Sequence, residues 1–145
     1  LSSSALRRGS IIRYSYLWAR EHRSGQIEGL KDRPTLVLSL SVRMENGSTR
    51  VLVVPITHTR PKIPSHGIEM PPAVKHQLGL DREPAWIVTT ESNTFTWLGP
   101  DVRPIPNKPP GTFVYGQIPD GLLRTVTEAF IRNRERIAMV PRDET

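Results

Sequence analysis

Proline and glycine interrupt this chain so often that only short elements fit between them. Its 145 residues include 14 prolines and 10 glycines. Punctuation of that density excludes a helical bundle and fits a turn-rich β fold. Gly9 to Trp18 is β-branched and aromatic and reads as a first strand. Ile12, Tyr14, Tyr16 and Trp18 share one face of it; Ile11, Arg13, Ser15 and Leu17 share the other. A polar loop over residues 19–32 follows, then a second strand over Thr35–Leu40, apolar on both faces as a central strand requires. Asn46-Gly47 is a strong hairpin signal, and Thr49–Thr57 is the partner strand. Pro55 cannot donate a ladder hydrogen bond, so this strand is expected at an edge or bulged there.

Residues 66–70 read as a short strand, 71–80 as a helical stretch ended by Gly79, and 85–97 as the last long β segment. A proline-rich loop spans 98–110, and 112–116 adds one more short strand. The one helix with a sustained apolar period opens at Pro119 or Asp120. Leu122, Leu123, Val126, Ala129, Phe130 and Ile137 recur along it, and Arg124, Arg132, Arg134 and Arg136 form a solvated face. The sum is a mainly β chain: a small twisted, mostly antiparallel barrel of five to seven strands with a C-terminal helix. A single domain is expected over 1–145, with 1–7 a loose tail, 8–137 the barrel and helix, and 138–145 a second tail.

Charge and composition narrow the function. The net charge of +6 suggests a polyanionic partner, most often nucleic acid, although solubility alone explains many basic domains. Aromatic residues are 6%, which argues against a large base-stacking platform. There is no cysteine, which removes thiol nucleophiles and cysteine-based zinc sites and fits a reducing cytoplasm. The four histidines show no HxxxH spacing, so no metal site is expected. No apolar run reaches membrane-spanning length, and residues 1–8 lack the apolar core of a signal peptide.

One boundary carries chemistry. In Lys31-Asp32-Arg33-Pro34-Thr35-Leu36, a polar loop meets an apolar strand. Pro34 presets its own φ and pushes Arg33 into an extended conformation. Arg33 is then held at a strand mouth, where a permanently charged fork suits phosphate. The competing reading is an arginine that covers an apolar edge and pairs with Asp32 or Glu28.

Taken in order, Gly9-Ser-Ile, Arg33-Pro34 and Val51-Leu-Val-Val-Pro-Ile-Thr57, followed by a short strand, a helical stretch, a β segment and an amphipathic helix, resemble the PemK/MazF family of toxins from bacterial toxin–antitoxin pairs. The resemblance covers about residues 8–137, with loops 19–32 and 98–110 longer than in compact members. It implies an SH3-like barrel, a symmetric homodimer, and sequence-specific cleavage of single-stranded mRNA in the cytoplasm without a metal or other cofactor. It also implies a cognate antitoxin whose C-terminal segment covers the RNA groove.

Metal-free cleavage uses the ribose 2′-OH as nucleophile and leaves 2′,3′-cyclic phosphate and 5′-OH ends. It needs a base, an acid and a stabiliser of phosphoryl charge. The family pattern gives the last task to Arg33 with Thr57. His22 is a catalytic candidate from the loop before Arg33, because a pKa near about 6.5 suits proton transfer. His58 is a second candidate at the groove. An acidic residue of the family falls near Thr90 here, with Glu91 next to it as the catalytic candidate. Asn93 would read a base edge, since it both donates and accepts. Lys31, Arg60 and Lys62 would line the groove as phosphate contacts. The alternatives are a non-catalytic RNA-binding barrel and a gyrase-binding toxin of the same fold; the absence of a tryptophan near the C-terminus disfavours the latter.

Overall fold

The structure is a computed structural model and describes residues 6–26, 29 and 31–142. Its sheet grows from the Asn46-Gly47 hairpin. Strands β2 (Arg33–Val42) and β3 (Thr49–Thr57) run antiparallel. Between them Gly47 takes φ +72°, and the Ser48 N–H donates to Asn46 Oδ1 at 2.9 Å. On its other edge β2 pairs with β1 (Ser10–Tyr14), and β1 also pairs with β7 (Val114–Gln117).

Strand β3 changes partner along its length. Residues Thr49 to Val53 pair with β6 (Glu91–Trp97). Ile56 and Thr57 pair instead with β5 (Trp86–Val88), which in turn carries β4 (Gly67–Glu69). Pro55 falls in the changeover, a place where a residue without an N–H is tolerated. The last strand, β8 (Ala138–Pro141), lies parallel to β6. Among the described residues the sheet therefore has eight strands, antiparallel except for this last pair, and it does not close on itself.

Two expectations about the strands give way. The single segment 85–97 is split at Thr89 and Thr90, whose backbone leaves the ladder. The Thr89 N–H donates to the His66 carbonyl at 3.0 Å, and the Thr90 carbonyl accepts from Ala138 at 3.1 Å. The supposed tail after 137 supplies β8, and Arg142 beyond it is buried.

Both sheet faces are covered. Ile11, Leu36, Val54 and Ile56 face one cluster, with Val74 and Leu78 around the short helix α2 (Pro72–Gln77). Val126 of helix α3 (Asp120–Arg132) closes that cluster, with Leu122, Leu123 and Phe130 packed around it. Ile12, Tyr14, Tyr16, Trp18, Val37, Val51, Val53 and Phe95 form the other. A register shift between Val37 and Ser39 puts Leu38 in the first cluster and turns Leu40 towards the second.

Helix α3 stops at Arg132, so Ile137 is not part of it. Asn133 ends it with a side-chain amide that donates to the Ser65 carbonyl at 3.1 Å and to Thr89 Oγ1 at 3.2 Å. The loop after β1 also contains a short helix, α1 (Ala19–Arg23). Among the described residues no helix is long and apolar enough to cross a membrane.

Candidate functional site

The antiparallel register fixes the site. Thr35 pairs with Pro55 and Leu36 with Val54. Continued to the open end of the hairpin, that register sets Arg33 across from Thr57. Thr57 pairs on its other side with Trp86. The two residues thus stand on neighbouring strands where β2 begins and β3 ends.

The Arg33 guanidinium lies 5.2 Å from the centre of the Trp18 ring, and that of Arg20 lies at the same 5.2 Å. Arg33 Nε is buried with no hydrogen-bond partner among the described residues. Burial pulls its pKa below the ordinary arginine value; Arg20 pulls the same way, while Glu21 and Tyr16 oppose. Two cations near one aromatic ring repel each other, and an anion reaching Arg33 would relieve the repulsion and supply the unmade hydrogen bond. Asp32 does not serve, because it takes Arg13 Nε at 3.5 Å and Arg103 Nε at 3.9 Å. Glu28 lies outside the described residues.

Two cavities flank this point. One, of about 250 Å³, is lined by Trp18, Arg20, Thr57, Lys62, His66 and Thr90 among others, and its lining holds no carboxylate. The second, of about 300 Å³, is lined by Lys31, Arg33, His58, Lys75, Asp81 and Tyr115 among others. Arg33 lines the second and its guanidinium stands over Trp18, which lines the first, so the residue lies between the two cavities.

Several expected residues converge here. Thr57 and Lys62 line the first cavity; Lys31, Arg33 and His58 line the second. Arg60 is exposed and stands 6.0 Å from the Trp86 ring, beside Thr57. His22 projects exposed from α1 and lines neither cavity. His58 is held by carboxylates, with Nε2 at 3.0 Å from Asp81 Oδ2 and Nδ1 at 3.9 Å from Glu83.

Asn93 requires a correction. It is fully buried, its amide donates to the Leu17 carbonyl at 2.8 Å, and its oxygen accepts from the Leu17 N–H at 2.9 Å and from Arg142 at 3.0 Å. Its oxygen and one amide N–H are engaged inside the protein, and because it is fully buried no base edge can reach it. Sequence reasoning failed because β6 places Asn93 opposite Val53, inside the fold.

Glu91 sits behind the cleft. Its Oε1 accepts from the Ala19 N–H at 2.8 Å and from the Tyr16 hydroxyl at 3.1 Å. Burial raises the Tyr16 pKa well above its ordinary value, so its hydroxyl keeps the proton it donates. Burial also pushes the Glu91 carboxyl up, against the pull of the Ala19 N–H, the Tyr16 hydroxyl, Arg20 and Arg23. A raised carboxyl pKa means the native chain binds that proton more readily than the unfolded one. Its stability contribution is therefore largest below the unfolded value of about 4.3 and is lost as pH rises through the native pKa. Glu91→Gln keeps both acceptor bonds without the charge. Its stability at pH 7 is expected within about 1 kcal/mol of the parent or above it. Any gain should vanish below pH ~4, as denaturant titrations at both pH values would read.

Sequence reasoning gives Trp18 and Arg20 no role at the site and takes His66 as structural. Trp18 and Arg20 carry a weak signal, an aromatic residue two positions from a cation at a strand exit. His66 carries none; the turn Pro64–His66 and the bond from Thr89 bring it to the cavity. Among the described residues no group of three or more histidines, aspartates or glutamates could hold a metal ion. What the fold and site define is a mainly β protein with a cationic, aromatic-backed cleft. No protein-family model, curated protein or solved structure matches the chain.

Proposed function

We propose that this chain is a metal-independent endoribonuclease toxin of the PemK/MazF type, on an SH3-like barrel, acting on single-stranded mRNA in the cytoplasm as a homodimer restrained by an antitoxin. The observation that carries the reading is the register that sets Arg33 across from Thr57, with an Arg33 Nε that has no partner among the described residues and Arg20 on the same tryptophan. Arg33 and Arg20 would hold the phosphoryl oxygens of the scissile linkage, and Thr57 would add a hydroxyl donor. The 2′-oxygen attacks phosphorus, the bond to the 5′-oxygen breaks, and a 2′,3′-cyclic phosphate and a 5′-OH result. The 2′-proton leaves to a base, and the departing 5′-oxygen gains one from an acid. His66, on the same cavity as Thr57, replaces His22 as the candidate for one of these transfers.

A second reading, RNA binding without cleavage, draws support from Glu91. Its Oε1 is occupied by Ala19 and Tyr16, and its side chain is half-buried. One experiment separates the two. Purified protein is incubated with a long RNA in EDTA and the ends are mapped. Cuts at one short motif with cyclic phosphate and 5′-OH ends support the nuclease; bound but intact RNA overturns it in favour of the second reading.

A further inference from the structure

We propose that the cavity on the far side of Arg33 is a guanine pocket, with Lys75 and Asp81 reading the base edge. It rests on the RNA reading above and names the base next to the phosphate seat. The cavity, of about 300 Å³, is at the small end of ligand sites, which run to about 1,000 Å³. Pro34, Ile56, Leu80 and Tyr115 give it apolar walls suited to a planar ring. Arg33 and Lys31 also line it, so one nucleotide could place its base inside and its phosphate at Arg33.

The polar groups are specific. The Lys75 side chain is only 6% exposed, which is rare for lysine and needs partners. Its ammonium donates to Asp81 Oδ1 at 2.8 Å and to the Glu83 carbonyl, which leaves one of its three N–H donors to give. Asp81 Oδ1 also takes the Glu83 N–H at 3.1 Å and lies 3.1 Å from His58 Nε2, whereas among the described residues Oδ2 meets His58 Nε2 alone, at 3.0 Å. The Asp81 carboxyl is held below the ordinary carboxylate value, chiefly by Lys75, so it is a charged acceptor at neutral pH. An ammonium donor beside a carboxylate acceptor complements the Watson–Crick edge of guanine, which presents a carbonyl next to two N–H donors. Adenine presents an amino group and a bare ring nitrogen, so its carboxylate contact is limited to a single amino N–H. A charge-assisted pair of that kind typically discriminates by tenfold or more.

The test is an NMR titration of the intact chain with guanosine 5′-monophosphate, adenosine 5′-monophosphate and ribose 5-phosphate. The guanine nucleotide is expected to shift resonances of His58, Leu80 and Tyr115 and to bind about tenfold more tightly than the adenine one. Asp81→Asn should reduce it to the adenine level, with ribose 5-phosphate binding unchanged. Leu80→Trp, which fills the cavity without touching the ion pairs, should remove the guanine preference in a chain whose thermal melt is unaltered. Equal binding of the two nucleotides, or a guanine preference that survives Leu80→Trp, overturns the pocket. Cleavage is not needed for this readout. A chain that prefers guanine but leaves RNA intact refutes the nuclease alone; one that cuts RNA without the preference refutes the pocket alone.

Discussion

Arg33→Ala is expected to lower RNA cleavage by about 10²–10³-fold, the loss that follows removal of one fixed donor to a developing oxyanion. The effect should fall on kcat more than on KM, because charge on the phosphoryl oxygens grows towards the transition state. Arg33→Lys should recover little, since an ammonium cannot fork onto two oxygens. Folding should be nearly untouched. Arg33 is half-exposed and its Nε has no hydrogen-bond partner among the described residues, so what truncation loses is stacking on Trp18. A midpoint of denaturation within about 1 kcal/mol of the parent, beside the loss of activity, places Arg33 in the chemistry. Full activity in the variant refutes that role. Equal losses of activity and stability would make it a packing residue.

Arg142→Ala is expected to have the largest effect on stability. Its side chain is 3% exposed, and Nη2 lies 2.9 Å from Asp101 Oδ1. Nη1 donates to the Ser15 carbonyl at 2.9 Å and to Asn93 Oδ1 at 3.0 Å. Asn93 in turn bonds both backbone groups of Leu17, and the Asp101 carbonyl accepts from the Ser15 N–H at 2.8 Å. One guanidinium thus ties the end of β8 to the start of β6, the stretch after β1 and the loop before β7. Removing one partner of a buried pair strands the other charge, at a cost of about 3–5 kcal/mol. Denaturant titration would read it. The double variant Arg142→Met with Asp101→Asn should cost less than Arg142→Ala, because no uncompensated charge remains. If the single variant loses under about 1 kcal/mol, the network is not what anchors β8.

Near-neighbour rules explain which parts were legible. The turn at Asn46-Gly47 and the strand from Thr49 to Thr57 follow from backbone preference and alternation, and both stand in the structure at those residues. The face shared by Ile12, Tyr14, Tyr16 and Trp18 survives as one core cluster although β1 itself ends at Tyr14. The stripe from Leu122 to Phe130 packs as its period requires. β8 was not legible. It is four residues long, ends in proline, and pairs in parallel with a strand on the far side of α3. Such a long-range pairing leaves little mark in a four-residue segment, which is too short to show an alternation of its own. Asn93 and Arg142 misled for a related reason: polar residues at chain positions that look exposed were drawn into the interior, where they satisfy each other.

The sequence by itself determined a mainly β chain, the hairpin at its centre, the amphipathic helix and the placing of Arg33 at a strand mouth. Each depends on torsional preference and on contacts within a few residues. The tertiary structure decided which side chains stand beside Arg33. Strand register set Thr57 across from it, the loop after β1 turned Trp18 and Arg20 towards it, and a turn far along the chain brought His66 in while leaving His22 outside. Those choices rest on pairings between residues distant in sequence, whose energies appear only when the sheet is assembled.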